Sequence, residues 1–210
     1  MRPLLAALAV LIALGASAGA LAQPQEGREY RRLDPAVPAA PAAIEVVEFF
    51  YYGCPVCYEA QPLIDRWRQS AGPEVRWRRV PAVNGEGWES FARDYYALES
   101  LGQLERLHWP LYDSHHFDGR QLDVEANLVA WAAANGVDAS RLRAALDSLE
   151  VRQKVEYAKR EAGRYGVRGV PTIVVDGRFA TSARMAGGVA EMMQVVQFLV
   201  ERVRRERAAR

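Results

Sequence analysis

The sequence predicts a mixed α/β fold in which a block of helices interrupts a small sheet. Three observations support this prediction. An apolar, β-branched run at 44–51 and a second strand-like segment at 74–80 flank a helical segment. Helical periodicity alone extends over 88–165, and strand signals return at 171–181 before a closing helix at 189–205. The predicted order of elements is therefore β-α-β, helical insert, β-β-α.

Residues 1–22 are predicted to form a secretory signal peptide. Arg2 supplies the positive charge at the start, the apolar run LLAALAVLIALGA follows, and an A-L-A cleavage pattern ends at residue 22. A membrane anchor is the alternative, but the apolar run is short for a span of about 20 residues. We therefore expect an exported chain that begins at Gln23 after cleavage.

The charge balance and the cysteine count narrow the possible functions. The chain has 27 Lys and Arg residues against 26 Asp and Glu residues, so no large net field attracts nucleic acid or an anionic membrane. It has two cysteines, whereas small disulfide scaffolds use many. A disulfide across two intervening residues constrains little of the unfolded chain. Reactivity is therefore the better explanation for the pair.

The first predicted unit is a right-handed βαβ. The β-branched and aromatic run Ile44–Tyr51 predicts a buried strand, residues 57–70 predict a helix, and Glu74–Val80 predicts a second strand. Ile64 and Trp67 give the helix an apolar face that could cover a sheet.

The later elements follow from caps and turns. Residues 88–165 contain four helical segments, for which Asp123 and Asp138 are suitable N-caps. Asp176-Gly177 stands between two extended runs and is a strong signal for a hairpin turn. We expect an all-helical block followed by a β-hairpin.

The two cysteines lie in Cys54-Pro55-Val56-Cys57, at the predicted junction of strand and helix. This spacing lets both sulfurs meet and leaves Cys54 at the exposed N-terminus of the helix. Unpaired backbone N–H groups and the helix dipole there favour a thiolate on Cys54. Cys57, one turn inside, should be buried, and Pro55 suits the first turn because it loses no hydrogen bond.

Other uses of the cysteines are less well supported. A zinc site needs four ligands, and without a second cysteine pair the others would have to come from His108, His115 or His116. Covalent haem attachment needs a histidine after the second cysteine, where this chain has Tyr58. Inert structural cysteines remain an alternative, but the strand-to-helix junction favours redox use. We expect no metal and no cofactor beyond the cysteine pair.

The segments EFFYYGCPVCYEAQP at 48–62 and YGVRGVPTIVVDG at 165–177 resemble DsbA-like thiol:disulfide oxidoreductases of the thioredoxin superfamily. The resemblance extends over nearly all of the mature chain. It implies an α/β thioredoxin fold with an inserted all-helical domain. The implied division is a first thioredoxin-like part at 23–83, a helical insertion at 84–165 and a second thioredoxin-like part at 166–210.

The resemblance also implies a function. The protein would be a disulfide oxidase that donates the Cys54–Cys57 disulfide to newly exported, reduced proteins through a mixed disulfide at Cys54. Its expected partners are unfolded or partly folded exported proteins and a quinone-linked DsbB-like membrane protein, with no nucleic acid. It would act as a monomer in the periplasm and bind peptides in an extended, partly apolar groove. A disulfide isomerase or reductase on the same fold, and a non-catalytic peptide-binding chaperone, are the alternatives.

The resemblance assigns roles to further residues. Val170-Pro171 would be a cis peptide that faces the cysteines and binds the extended substrate through its backbone. Glu48 would lie beneath the cysteines and help protons reach and leave Cys57. The alternative for Glu48 is a structural acid paired with Arg79, which stands where the best-known family member has a lysine. Arginine does not release its proton, so a relay through a titrating lysine is not expected here.

The dipeptide between the cysteines, Pro55-Val56, is expected to tune the redox chemistry. The family's usual dipeptide is Pro-His, in which the histidine can donate to the thiolate and carry charge. Valine can do neither. We therefore expect Cys54 to be acidic, but less so than with a histidine at residue 56.

Overall fold

The structure is a computed structural model that describes residues 23–38, 42–85 and 87–209. The predicted signal peptide, residues 1–22, lies outside the described residues. The strands are β1 (Arg31–Arg32), β2 (Ile44–Phe50), β3 (Val75–Pro81), β4 (Thr172–Val175) and β5 (Phe179–Ser182). The helices are α1 (Pro55–Ser70), α2 (Trp88–Ser100), α3 (Leu104–His116), α4 (Glu125–Ala134), α5 (Ala139–Leu146), α6 (Leu149–Arg164), α7 (Ala183–Ala186) and α8 (Val189–Ala208).

In the described part of the chain, the strands form one sheet of five in the order β1-β5-β4-β2-β3. Strands β2 and β3 are parallel, as the α1 crossover between them requires, and β2 is antiparallel to β4. The predicted β-α-β and β-β-α units are confirmed. Strand β1 was not predicted, because two successive arginines carry no strand signal and their pairing with β5 depends on the tertiary structure.

The predicted hairpin between β4 and β5 is confirmed. Asp176 and Gly177 both have positive φ angles, 55° and 63°, which suit the turn that matches strand twist. A side-chain carbon on Gly177 would overlap the carbonyl oxygen of Val37, whose own N–H donates to the Gly177 carbonyl at 2.8 Å. The hairpin therefore holds the segment that precedes β2.

The helical block differs from the prediction in two details. The fourth predicted segment is two helices, α5 and α6, because Ser148 caps α6 by accepting a hydrogen bond from the backbone N–H of Val151. Asp138 is the N-cap of α5, as predicted. The prediction for Asp123 was wrong, because α4 begins at Glu125 after Val124 and has no side-chain cap.

Side chains on the two faces of β2 enter different parts of the core. Val46 packs with residues of α1 and α8, whereas Val47 and Phe49 pack with residues of the helical block α2 to α6. Glu48 shares the Val46 face by strand alternation. Because β2 is buried on both faces, its C-terminal end is a rigid support for the turn that leads into α1. The division into domains at 83/84 and 165/166 stays a prediction.

Within the described ranges, no helix combines the length and the apolar character needed to cross a membrane.

Candidate active site

The two cysteines lie where β2 gives way to α1, as predicted. Cys54 is the N-cap of α1 with extended backbone angles, and Pro55 occupies the first helical position. The backbone N–H of Cys57 donates to Cys54 Sγ at 3.4 Å. Cys54 is partly exposed and Cys57 is fully buried, and both are thiols in this structure.

The two sulfurs have opposite acid–base character. The pKa of Cys54 is lowered from 9.0 to about 6, chiefly by the thiol of Cys57 and then by the backbone N–H groups of Cys57 and Val56, while partial burial opposes the shift. Burial and the neighbouring Cys54 raise the pKa of Cys57 well above its ordinary value. Reasoning from the sequence identified the backbone N–H groups but missed the larger contribution of the Cys57 thiol. The C-x-x-C spacing, which brings the sulfurs together, was the available signal.

Val56 contributes to this turn through its backbone alone. The residue is 38% exposed, and it lies outside both buried clusters of the core. An apolar side chain at this position offers no donor to the neighbouring sulfur. The contribution of Val56 to the acidity of Cys54 is therefore the N–H group that any residue except proline would supply.

The loop before β4, which contains Val170 and Pro171, lies beside the cysteines in space. The Val170–Pro171 peptide bond is cis, as the resemblance implied, and the Val170 carbonyl oxygen lies 3.8 Å from Cys54 Sγ. The hydroxyl of Thr172 donates to the Gly169 carbonyl at 2.7 Å and holds the loop in place. Residues more than 110 positions apart in the chain thus meet at one sulfur.

Glu48 is fully buried beneath this turn. Its Oε2 accepts a hydrogen bond from Arg79 Nε at 3.2 Å, and its Oε1 accepts one from Gln61 Nε2 at 2.7 Å. Gln61 Nε2 also lies 3.5 Å from the Cys57 carbonyl oxygen. Burial raises the pKa of Glu48, although Arg79 and Gln61 oppose the shift. Glu48 is therefore paired with Arg79 and at the same time linked through Gln61 to the Cys57 backbone.

The buried network continues into the helical block. Gln61 Oε1 lies 3.3 Å from His108 Nε2, and His108 Nδ1 lies 2.7 Å from the hydroxyl of Tyr52. Burial lowers the pKa of His108 well below its ordinary value. Reasoning from the sequence considered His108 only as a metal ligand and missed Gln61 and Tyr52. The position of Gln61, one helical turn after Cys57, was a signal that could have found it.

The other two histidines also bind protein groups. His116 Nε2 lies 2.7 Å from the Tyr52 carbonyl oxygen, and its ring stacks on Tyr58. His115 Nδ1 lies 2.9 Å from the Arg120 carbonyl oxygen. Among residues 23–38, 42–85 and 87–209, no group of three or more His, Cys, Asp or Glu side chains is arranged to hold a metal ion.

The part of the chain that contains the cysteine pair, the cis-proline loop and the buried acid matches a known protein family. Residues 45–200 match the family model for the DSBA-like thioredoxin domain. The chain belongs to this family. Thiol:disulfide interchange protein DsbA of Azotobacter vinelandii is 36% identical over 197 residues, which cover 92% of each protein. The protein of the same name from Pseudomonas aeruginosa is 33% identical over 206 residues, or 96% of each.

Solved DsbA structures share the fold. The crystal structure of Pseudomonas aeruginosa DsbA is 33% identical in sequence, with a TM-score of 0.80 over 86% of this chain and 94% of that one. The oxidoreductase DsbA from Xylella fastidiosa is 31% identical, with a TM-score of 0.80 over 87% of this chain and 99% of that one. The predicted thioredoxin fold with an all-helical insertion is confirmed, and helices α2 to α6 form the insertion.

The hydrogen bond from the Cys57 thiol gives a test of what makes Cys54 acidic. Cys57→Ala removes this donor, so we expect the pKa of Cys54 to rise from about 6 towards 9.0. Cys57→Ser retains an O–H donor and should keep the pKa of Cys54 well below 9.0. Ultraviolet absorbance of the thiolate, followed against pH, measures both values. Equal pKa values in the two variants would contradict the role assigned to the Cys57 thiol.

Proposed function

We propose that this protein is a disulfide oxidase that donates the Cys54–Cys57 disulfide to newly exported, reduced proteins through a mixed disulfide at Cys54. The contrast between the two sulfurs supports this proposal most directly. The pKa of Cys54 is lowered to about 6, whereas that of Cys57 is raised by burial. The relatives named as thiol:disulfide interchange proteins agree with it.

The reaction consists of two thiol–disulfide exchanges. A substrate thiolate attacks Cys54 Sγ of the oxidised pair, forms a bond to it and breaks the Cys54–Cys57 bond, whose electron pair leaves on Cys57 and takes up a proton. A second substrate thiolate attacks the first substrate sulfur and expels Cys54 as a thiolate. The substrate dithiol is oxidised by two electrons, and the protein disulfide is reduced by the same two.

The acidity of Cys54 gives the reaction its direction. A thiol with a low pKa is a good leaving group, so the second exchange runs towards substrate oxidation. The same acidity stabilises the reduced protein, because the Cys54 thiolate persists near neutral pH while an ordinary thiol stays protonated. A disulfide whose reduced form is stabilised in this way is a stronger oxidant.

We propose that Val170 and Pro171 bind the substrate segment that flanks the attacking cysteine. The Val170 carbonyl oxygen is 3.8 Å from Cys54 Sγ, so a peptide joined to that sulfur lies beside this backbone. Backbone hydrogen bonds to an extended peptide do not depend on its sequence. This mode of binding suits a donor that acts on many exported proteins.

Location and partners follow from the chemistry and the predicted signal peptide. Each transfer leaves a dithiol, so the protein needs an oxidant in its own compartment. We propose the periplasm as that compartment and a quinone-linked DsbB-like membrane protein as the oxidant. The substrates are unfolded or partly folded exported proteins, and we expect the chain to act as a monomer without binding nucleic acid.

Oxidation of reduced, unfolded ribonuclease tests the proposed function. Oxidised protein, supplied at one molecule per cysteine pair of ribonuclease, should lose its disulfide as the ribonuclease thiols are oxidised and activity appears, and Cys54→Ser should transfer none because it lacks the attacked sulfur. A non-catalytic peptide-binding chaperone would leave its own cysteines unchanged in this assay. Efficient rescue of scrambled ribonuclease, with poor oxidation of the reduced form, would instead favour the isomerase.

Val56→His should make the protein more oxidising. A histidine at this exposed position can donate to the Cys54 thiolate and carry a positive charge. Each unit by which the pKa of Cys54 falls corresponds to about 1.4 kcal/mol, or up to about 30 mV. The equilibrium with a glutathione redox buffer measures the change, and Val56→Phe, which adds a ring without a donor, is the control. An unchanged equilibrium in Val56→His would refute the expected tuning by residue 56.

We propose that Glu48 handles protons for Cys57, although it also pairs with Arg79. Glu48 bears negative charge close enough to raise the pKa of Cys57, and Gln61 contacts both its carboxylate and the Cys57 carbonyl. Burial raises the pKa of Glu48 itself, which brings the carboxyl group closer to the range where it can exchange protons. Arg79 remains charged and orients the carboxylate.

Glu48→Gln should slow disulfide transfer about tenfold and flatten its dependence on pH, because the amide cannot exchange a proton with Cys57. Single-turnover rates over a range of pH measure this effect. Asp65→Asn is the matched control: Asp65 is the second acid on Arg79, at 3.3 Å, and the substitution leaves Glu48 in place. A pH profile that is unchanged in Glu48→Gln would leave Glu48 with a purely structural role.

A further inference from the structure

A cavity of about 520 Å³ opens beside the active site. Val170 and Pro171, the loop residues next to Cys54, form part of its wall. Residues of β5 and α7 also line it. A peptide joined to Cys54 would therefore lie beside this cavity.

Among the described residues, three arginines line the cavity: Arg31, Arg168 and Arg184. Arg168 and Arg184 are exposed at its rim. Arg31 is partly buried, and its Nη2 donates to the carbonyl oxygens of Tyr165 at 2.6 Å and Gly166 at 2.9 Å. These bonds use neutral acceptors, so they orient the Arg31 guanidinium without neutralising it.

The positive charge of these arginines is not compensated within the described ranges. No described carboxylate lies within 4.0 Å of any of the three guanidinium groups. By contrast, Arg32 and Arg178, which lie on the adjoining strands and turn, contact Glu26 and Glu206. Burial and the positive charge of Arg168 lower the pKa of Arg31, as expected where like charges face each other.

We propose that this cavity binds acidic side chains of the substrate, within about three residues of the cysteine that attacks Cys54. The inference rests on the proposed function and adds to it a preferred class of substrate, reduced chains with Asp or Glu next to a cysteine. An extended chain advances about 3.3 Å per residue, so the second and third neighbours of that cysteine are about 7–10 Å away. Arg168 is two residues from Val170, so its backbone is at most about 7 Å from that of Val170.

The chemistry of the arginines explains the preference. A guanidinium group binds a carboxylate with two parallel hydrogen bonds. The exposed Arg168 and Arg184 also attract acidic peptide segments over a longer range, before the peptide reaches the cavity. Lysine or arginine next to the substrate cysteine would be repelled by the same charges. The groove implied by the family resemblance is partly apolar, and here Val170 and Met185 supply the apolar part while the arginines add charge selection.

Matched peptides test this inference. Two reduced peptides each contain two cysteines and are otherwise identical, but one has Asp-Asp and the other Asn-Asn on the N-terminal side of one cysteine. A second set of two peptides carries the same pairs on the C-terminal side of that cysteine. Single-turnover oxidation by the full-length mature protein is stopped with acid and measured by mass spectrometry. At low salt we expect at least one acidic peptide to be oxidised about tenfold faster than its neutral partner, and the difference to shrink at high salt.

A double variant and a matched control isolate the cavity. Arg168→Gln with Arg184→Gln should reduce the preference several-fold, and Arg31, which holds the Tyr165 and Gly166 carbonyls, is left intact and retains its share of the charge. Arg143→Gln with Arg160→Gln, two exposed arginines of the helical insertion outside this cavity, should retain it.

Two results would overturn the inference, and they are distinguishable. If the ratio of acidic to neutral rates is the same in the cavity variant and in the unmodified protein, the arginines do not select substrate while the oxidase function stands. If no peptide is oxidised by the unmodified protein, the proposed function fails and this inference fails with it.

Discussion

The chemistry of the site depends on the position of the Cys54 sulfur at the first turn of α1. Strand β2 is buried on both faces, and its rigid end fixes where α1 begins. Cys54 is the N-cap of α1, so its sulfur accepts hydrogen bonds from the backbone N–H and the thiol of Cys57. The residue is also partly exposed to solvent. Partial burial opposes ionisation, and the hydrogen bonds outweigh it. The cis-proline loop and the buried polar network both lie against this turn.

A buried polar network holds the turn from below. Glu48 on β2, Gln61 on α1 and His108 on α3 belong to three different elements, yet one chain of hydrogen bonds joins them. Burying a charged acid is costly unless it is paired, and Arg79 and Gln61 together satisfy both oxygens of Glu48. Through His108 and Tyr52 the helical insertion is fixed relative to the cysteines by directional contacts as well as by packing. The insertion is thus part of the site's support.

Local signals predicted much of this architecture, and long-range contacts account for what they missed. The strand-to-helix junction at Cys54, the hairpin at Gly177 and the cap at Asp138 each depend on a few neighbouring residues, and all are confirmed. Strand β1 has no pattern of its own and exists only because β5 lies beside it. The contact between Gln61 and His108 joins residues 47 positions apart, which no periodicity reveals. Asp123 is a suitable cap by type, but α4 begins two residues later.

Reactivity and substrate selection are built from different parts of the chain. The acidity of Cys54 arises within a turn of four residues and would persist whatever lines the neighbouring cavity. The cavity's charge comes instead from Arg31 in the N-terminal lead, Arg168 in the loop before β4 and Arg184 in α7. Because these segments meet only through the fold, a substitution in one of them can change which peptide is held without altering the sulfur that reacts. This separation lets one scaffold keep its exchange chemistry while its choice of substrate varies.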